Sequence, residues 1–587
     1  MEEHATPYDP GTDDYDVPPF NHSITTTKAT AIYNMHTYWS KKPHDAIQQY
    51  IKHYTRTGDL VLDPFSGSGG TSLAALMEGR AAIAIDLSPA ATFITKNYCT
   101  PVDVDELQRA FSELEARVKP EMDWLYETRC DRCDGRATTA YTVYSYVFQC
   151  PRCLTKLPLF DCLEIPAQTA AGKDKTIRIC PHCHVNGHEE EIKTSSKRFD
   201  AIPVLVSYFC DEGCKPQRGE RVHNDPDPKK KAYFEKYDLA KVTEIEKKKI
   251  PHWIPPHRMM NIESDTEPWG DEWRPGRNFR TVSELFTKRN LWALGAIFAG
   301  LKDIKQPYQD ALTFATSSFL LNLTKLYKHR ETGGGQPTGN YYMPQISKEN
   351  EAWSAFERKF TDILNGLREL SNVLQSTQVI VSTQSSVDLS AIPSDSVDLV
   401  FTDPPYAGKY QYGELNFIWE AWLNLNTKWH DGEIIVNETR GKTDIDWADM
   451  MRLAVAECYR VLKPGHWLAL CYHDTSEGTW SLVQDVMAEA GFVVDKSDTA
   501  LFIDTGQKTY NQTQAEKVTQ RDLVINFRKP REGEVAAKLL LSGEEGPASF
   551  NEKAQFILRE ALERLPGAPA DRLYDELVAQ HCQTTSS

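Results

Sequence analysis

Asp59-Leu60-Val61-Leu62-Asp63-Pro64-Phe65-Ser66-Gly67-Ser68-Gly69-Gly70-Thr71 runs from an apolar stretch into an acidic, glycine-rich loop. An apolar run this short, bounded by turn residues, reads as a buried strand of a parallel sheet. The sequence beyond it predicts a helix over Thr71–Glu78, closed by Gly79, and a second strand over Ala81–Ile85 that ends in Asp86. This is a βαβ unit of the doubly wound kind. A second stretch repeats the arrangement: Val397-Asp398-Leu399-Val400-Phe401-Thr402 leads into Asp403-Pro404-Pro405-Tyr406. Both loops fall at the ends of strands, where open α/β sheets bind ligands.

Each loop suggests its own chemistry. Phe65-x-Gly67-x-Gly69 suits a cofactor that approaches the backbone too closely for a Cβ. Asp86 at the next strand end suits ribose hydroxyls. The spacing Gly67-x-Gly69-Gly70 is not the Gly-x-Gly-x-x-Gly of a dinucleotide site. Asp403-Pro404-Pro405-Tyr406 offers a carboxylate, stiffly held carbonyls and an aromatic face. Those groups suit an aminated base, with Asp403 and the Pro404 carbonyl accepting from its NH₂ and Tyr406 stacking on the ring. Together the loops predict an S-adenosylmethionine-dependent amino-methyltransferase acting on nucleic acid bases. Asp388, just before the second strand, is either a contact for the cofactor adenine or a solvated turn acid.

Composition sets the frame. With 587 residues, 40% hydrophobic and 25% charged, the chain has material for more than one globular domain. No apolar run reaches membrane-spanning length and the acidic start lacks a signal pattern, so no membrane role and a cytoplasmic location are expected. The net charge of −17 argues mildly against a nucleic acid partner, but Lys229–Lys231 and Lys247–Lys249 are local basic runs. The expected organisation is a flexible tail (1–30), a cofactor half (31–100), a metal-binding insert suited to DNA recognition (101–260), a helical insert (261–375), a catalytic half (376–530) and a helical appendage (531–587). Helices are expected over Pro43–Ile51, Val282–Ala299, Tyr308–Tyr327, Glu351–Leu374, Asp446–Val461 and Trp480–Ala490. Lys463-Pro464-Gly465 reads as a turn, and Thr332–Asn340 as a flexible loop. The fold class is α/β, a Rossmann-like sheet of about seven strands interrupted by the two inserts.

Thirteen cysteines in a chain without an export signal should be reduced thiols. Eight fall in four close pairs, which points to structural zinc. Sequential pairing assigns Cys130, Cys133, Cys150 and Cys153 to one site, and Cys180, Cys183, Cys210 and Cys214 to another. Nested pairing, outer with outer and inner with inner, is the alternative.

These motifs resemble the amino-methyltransferases of DNA, the N6-adenine and N4-cytosine enzymes, and in detail the adenine-specific methylases that carry a zinc ribbon. The resemblance rests on Asp63–Thr71, Ile85–Ile94, Asp403–Tyr406, Tyr412-Gly413-Glu414-Leu415, Glu457–Gly465 and Tyr33–Ile51. It implies cofactor binding by Phe65, Gly67, Gly69 and Asp86, with Lys42 beside the methionine carboxylate; Asp63, Pro64, Ser66, Thr71 and Leu87 are expected to bind the cofactor with them. It implies target-amine binding by Asp403, Pro404, Pro405 and Tyr406. It further implies a DNA substrate and partner subunits of a restriction or phage-defence system. Rival readings are N4-cytosine methylation, N2-guanine methylation of RNA, and a catalytically idle DNA-binding subunit. Many members of the family are longer at either end.

Overall fold

A computed structural model describes residues 7–169, 172, 174–193, 196–259, 281–330, 341, 343–472, 477–494, 501–504, 522–534, 558–559, 561–564, 566–567 and 573. The chain divides into two units: one comprises 1–104, 362–420 and 425–587, the other 105–361 with 421–424.

The first unit is built on a nine-stranded sheet. Its strands are β1 (Ile24–Thr25), β2 (Leu60–Asp63), β3 (Ala81–Asp86), β4 (Val379–Thr383), β5 (Val397–Thr402), β6 (Leu462–Tyr472), β7 (Val493–Val494), β8 (Leu501–Asp504) and β9 (Asp522–Arg528). The spatial order is β1-β8-β9-β6-β5-β2-β3-β4, with β7 also on β9. Strands β4, β3, β2, β5 and β6 are mutually parallel, and β9 runs antiparallel to β6, β7 and β8. From β2 the chain steps outward to β3 and β4, and from β5 it steps the other way to β6. The reversal lies between β2 and β5, where ligands enter such sheets. Alternate side chains serve opposite faces: Leu60 and Leu62 pack with Met451 and Val455, while Val61 packs with Ile47, Tyr50 and Ala74. Burying one such side chain contributes roughly 1.5–3 kcal/mol, so both faces hold the sheet.

Several expectations are corrected. Residues 7–30 do not behave as a free tail: Tyr15, Phe20 and Ile24 are buried, and β1 pairs with β8. Among the described residues the sheet has nine strands, not seven, because β1 and β8 are added. Lys463-Pro464-Gly465 is no turn but part of β6, which absorbs Gly465 at φ +82° through an irregularity in its register with β5. The helix expected from Asp446 starts at Asp444, because Thr443 and Asp446 form a capping box. Thr332–Asn340 and most of 531–587 lie outside the described residues.

The second unit joins the two expected inserts into one body. Its spine is the antiparallel pair Arg136–Gln149 and Arg198–Cys210, paired from Ala137↔Cys210 to Phe148↔Arg198. Helices cover Val104–Tyr126, Lys288–Leu301 and Tyr308–Phe319; the expected helix over Val282–Ala299 begins only after the Thr287 cap, preceded by a 3₁₀ turn. A 3₁₀ turn at Leu320–Leu323 likewise follows the helix that starts at Tyr308. Phe111 stacks on Phe360 with centroids 4.0 Å apart. No helix among the described residues is long and apolar enough to cross a membrane.

Candidate active site and cysteine quartets

The carboxyl ends of β2, β3 and β5 each deliver an acid to one cleft in the first unit: Asp63, Asp86 and Asp403. Leu399 and Val400 lie in register with Val61 and Leu62, and Thr402 Oγ1 donates to Asp63 Oδ1 at 3.0 Å. The two loops read from the sequence therefore stand side by side on one sheet edge. The cleft encloses ≈ 940 Å³, the open solvent at its mouth included.

The glycine loop is shaped by close approach. Gly67 has φ +50°, and a Cβ there would sit 2.9 Å from Tyr38 Cε1. Gly69 has φ +81°, and its Cβ would meet Thr95 Cγ2 at 2.7 Å. Neither position accepts a side chain without displacement. Asp86 accepts from Gly67 N at 2.8 Å and Ser88 N at 2.9 Å. Burial pushes the Asp86 carboxyl up to about 7, against the pull of those two N–H groups. Asp63 is pushed up to about 6, also by burial, despite hydrogen bonds with Thr71, Phe65 and Thr402.

The second loop is closed on itself. The Tyr406 hydroxyl donates to Asp403, and the Tyr406 ring is 1% exposed, meeting Tyr472 edge-on. The ring expected to stack on a base is thus covered by the protein in this conformation. Ala407, directly after it, takes φ +44°, a strained conformation for a residue with a Cβ. Burial raises the Asp403 carboxyl to about 7, with Lys42 opposing the shift.

Other expected residues divide. Asp63, Pro64, Phe65, Ser66, Gly67, Thr71, Asp86, Leu87, Lys42, Asp403 and Pro405 line the cleft. Gly69 stands just behind it as the cap of the helix Gly70–Met77. Pro404 lines a neighbouring apolar pocket with Trp447, Met451 and Tyr472. Asp388 is exposed and outside the cleft lining, because its carboxylate accepts from Ser390 N in a local turn at 3.0 Å; Ser385 and Ser386 line the cleft instead. The Lys42 ammonium, expected beside a cofactor carboxylate, lies 3.2 Å from Asp403 Oδ2 and 2.9 Å from Asp522 Oδ1.

Reading the sequence missed Tyr38, Trp39, Ser40, Trp429 and Glu433, which also line the cleft. Beneath them Ser88 donates to Glu420 at 2.7 Å, Trp429 donates to Glu420 at 3.0 Å, and Asn416 bridges Tyr38, Trp39 and Ser88. The pair Tyr38-Trp39 was the available signal, but only tertiary packing brings Tyr38 against Gly67.

In the second unit the cysteines gather as two quartets: Cys130, Cys133, Cys210 and Cys214, and Cys150, Cys153, Cys180 and Cys183. This is the nested pairing, and it corrects the sequential assignment. The long antiparallel pair brings Cys210 back beside Cys130, and the hairpin Leu163–Gln168/Asp174–Ile179 returns Cys180 to Cys153. Sulfur separations are 3.9 Å (Cys130–Cys214), 3.6 Å (Cys133–Cys210), 3.6 Å (Cys150–Cys183) and 3.7 Å (Cys153–Cys180). A tetrahedron with Zn–S bonds of about 2.3 Å has edges of about 3.8 Å, whereas a disulfide needs about 2.05 Å. The Cys130-x-x-Cys133 and Cys150-x-x-Cys153 turns share one feature, a left-handed residue directly after them: Asp134 and Leu154 at φ 59° and 61°. The donor set and its spacing fit a tetrahedral, thiolate-preferring cation.

Residues 9–97 match the N6/N4 methyltransferase family described as DNA methylase. Over 95 residues the chain is 35% identical to the Type II methyltransferase M.BsoBI of Geobacillus stearothermophilus, covering 16% of this chain and 19% of that protein. Over 88 residues it is 26% identical to the Type II methyltransferase M.MjaII of Methanocaldococcus jannaschii, covering 15% and 17%. The chain thus spans less than a fifth of the length of these curated relatives. The family match includes Lys42, the glycine loop and Asp86; Asp403 lies outside it.

Proposed function

We propose that the first unit is an S-adenosylmethionine-dependent DNA methyltransferase that acts on the exocyclic N6 of adenine. One observation carries the reading. The glycine loop and the Asp403 loop end adjacent parallel strands at the reversal point of the sheet, and both open into a single cleft. The family match over residues 9–97 supports the cofactor half and a DNA substrate.

In this reading Asp63–Gly70 and Asp86 hold the cofactor, with Asp86 offered to the ribose hydroxyls. When bound, the cofactor supplies an electrophilic methyl group. Asp403 and the Pro404 carbonyl accept the N–H bonds of the target amine and turn its lone pair out of conjugation with the ring, which is catalysis by positioning and electrostatics. The base must leave its duplex to reach this depth. Tyr406 then moves from Asp403 onto the base, and the strained Ala407 is the point at which the loop opens. The cysteine quartets are assigned to two structural Zn²⁺, each closed by four thiolates and so without an open position for chemistry. They stiffen an insert suited to gripping DNA.

N4-cytosine methylation uses the same geometry and is the second reading, since the family match covers both classes. Duplex DNA, with RNA in a parallel reaction, is incubated with methyl-tritiated S-adenosylmethionine and digested to nucleosides, which separates the readings. Label in N6-methyldeoxyadenosine is expected. Label in the cytosine nucleoside selects the second reading, and label only in RNA guanine removes both.

A further inference from the structure

Lys42 offers three N–H donors, and three acceptors surround it. They are Asp403 Oδ2 at 3.2 Å, Asp522 Oδ1 at 2.9 Å and the Tyr406 hydroxyl at 3.2 Å. The Lys42 side chain is 8% exposed, and those of Asp403 and Asp522 are 19% and 17% exposed. Asp522 opens β9. Because β9 runs against its neighbours, its first residue reaches the edge where parallel strands end, and Leu523 pairs with Tyr472, the last residue of β6. An acid at the start of the last strand thereby joins the loop that follows β5.

We propose that Lys42 and Asp522 form a buried charge pair that positions Asp403 and governs its charge in opposite senses. The ammonium favours the ionised carboxylate and fixes one of its oxygens, while the second carboxylate anchors the ammonium and opposes that ionisation. This rests on the reading of Asp403 as the acceptor for the target amine, a task only the ionised form performs with both oxygens. Lys42 and Asp522 are positioning residues, since neither is assigned a contact with the base.

The other titratable groups around Asp403 and its two partners include Asp63 at the end of β2, Cys471 in β6, Tyr406 in its own loop, Lys409, Tyr410 and Tyr412 beyond that loop, and Tyr33. Lys28 adds a further cation near Asp522 and Lys42. Among them Lys42 is the cation in direct contact, and Asp522 the acid in direct contact with that cation. The electrostatic balance agrees: burial raises Asp403, Lys42 lowers it and Asp522 raises it. Burial would release the Lys42 proton, but Asp403 and Asp522 more than offset it and hold the ammonium charged.

The test compares pH profiles of methyl transfer by the full chain, wild type against Lys42→Met, Lys42→Arg and Asp522→Asn. Alongside, infrared titration follows the Asp403 carboxyl in ligand-free protein, identified by subtracting Asp403→Asn. Losing an opposite charge at this distance moves a carboxyl by about 1–3 pH units. Lys42→Met should therefore shift the acid limb and the infrared titration upward by more than about one unit. Asp522→Asn should shift both downward, and Lys42→Arg should restore the wild-type position. If Lys42→Met does not fold, the downward shift of Asp522→Asn against the unshifted Lys42→Arg still tests the pair. Activity losses with unmoved titrations, as from a merely structural pair, overturn the proposal. Titrations that move as stated in a protein transferring no methyl to DNA support the pair and remove the functional reading instead.

Discussion

The acids at the strand ends of the first unit are each hydrogen-bonded within the protein, whereas the eight ligand-type cysteines of the second unit face mainly one another. Asp63, Asp86 and Asp403 have Thr402, Gly67, Ser88, Tyr406 and Lys42 as partners. Among the described residues, the buried apolar cluster around the Cys130 quartet comprises Ala137, Tyr208 and the cysteines themselves. The sheet unit has an apolar core on both faces and carries its site as an addition to that core. The insert has little core around the Cys130 quartet, whereas Phe148, Leu157, Leu159 and Ile192 pack with the cysteines of the Cys150 quartet. In the proposed reading, one site needs its ligand for function and the other for folding.

Metal analysis breaks or sharpens this contrast most strongly, because structural zinc contributes about 10 kcal/mol or more to a small thiolate module. The wild type should hold two zinc ions per chain. Cys130→Ser with Cys210→Ser should leave one, and Cys130→Ser with Cys150→Ser should leave none. The reverse result would restore sequential pairing. Chelation should unfold the insert while leaving S-adenosylmethionine binding by the sheet unit in place, read by proteolysis and calorimetry.

Next in size, Asp403→Ala should lower methyl transfer by about 10²–10³-fold, as loss of a single transition-state hydrogen-bonding group does. Cofactor affinity should stay within about twofold; weakened cofactor binding as the sole effect would contradict the assigned role. Asp86→Ala should do the opposite, weakening the cofactor about 10- to 100-fold, the effect of losing charge-assisted hydrogen bonds.

The smallest effect is on stability against pH. Asp86 and Asp403, ordinarily near 3.8, stand at about 7 in the folded chain. Between those values the folded state holds protons that the unfolded state has lost, so this contribution to stability falls as pH rises through the window. Asp86→Asn should flatten the decline in Tm of ligand-free protein between about pH 4 and 7. An unchanged slope would mean that Asp86 is not buried as an acid.

What the sequence made legible follows the same division. The strands β2, β3, β5 and β6 and both loops could be read because each is a local pattern, an apolar run ending in turn residues. The direction of β9 could not, since Leu523–Phe527 reads alike in either sense, and with it Asp522 was missed. β1 and β8 are two and four residues long and pair only with distant strands. The nested quartets depend on the register of 136–149 against 198–210, a long-range match that cysteine spacing does not encode.

The central claim is spatial: both halves of the chain line one cofactor cleft. Photolabelling of the full chain with methyl-tritiated S-adenosylmethionine, followed by peptide mapping, tests it directly. Label is predicted on peptides from residues 38–71 and from residues 403–434, suppressed together by unlabelled cofactor. Label recovered only from residues 105–361 would contradict the account.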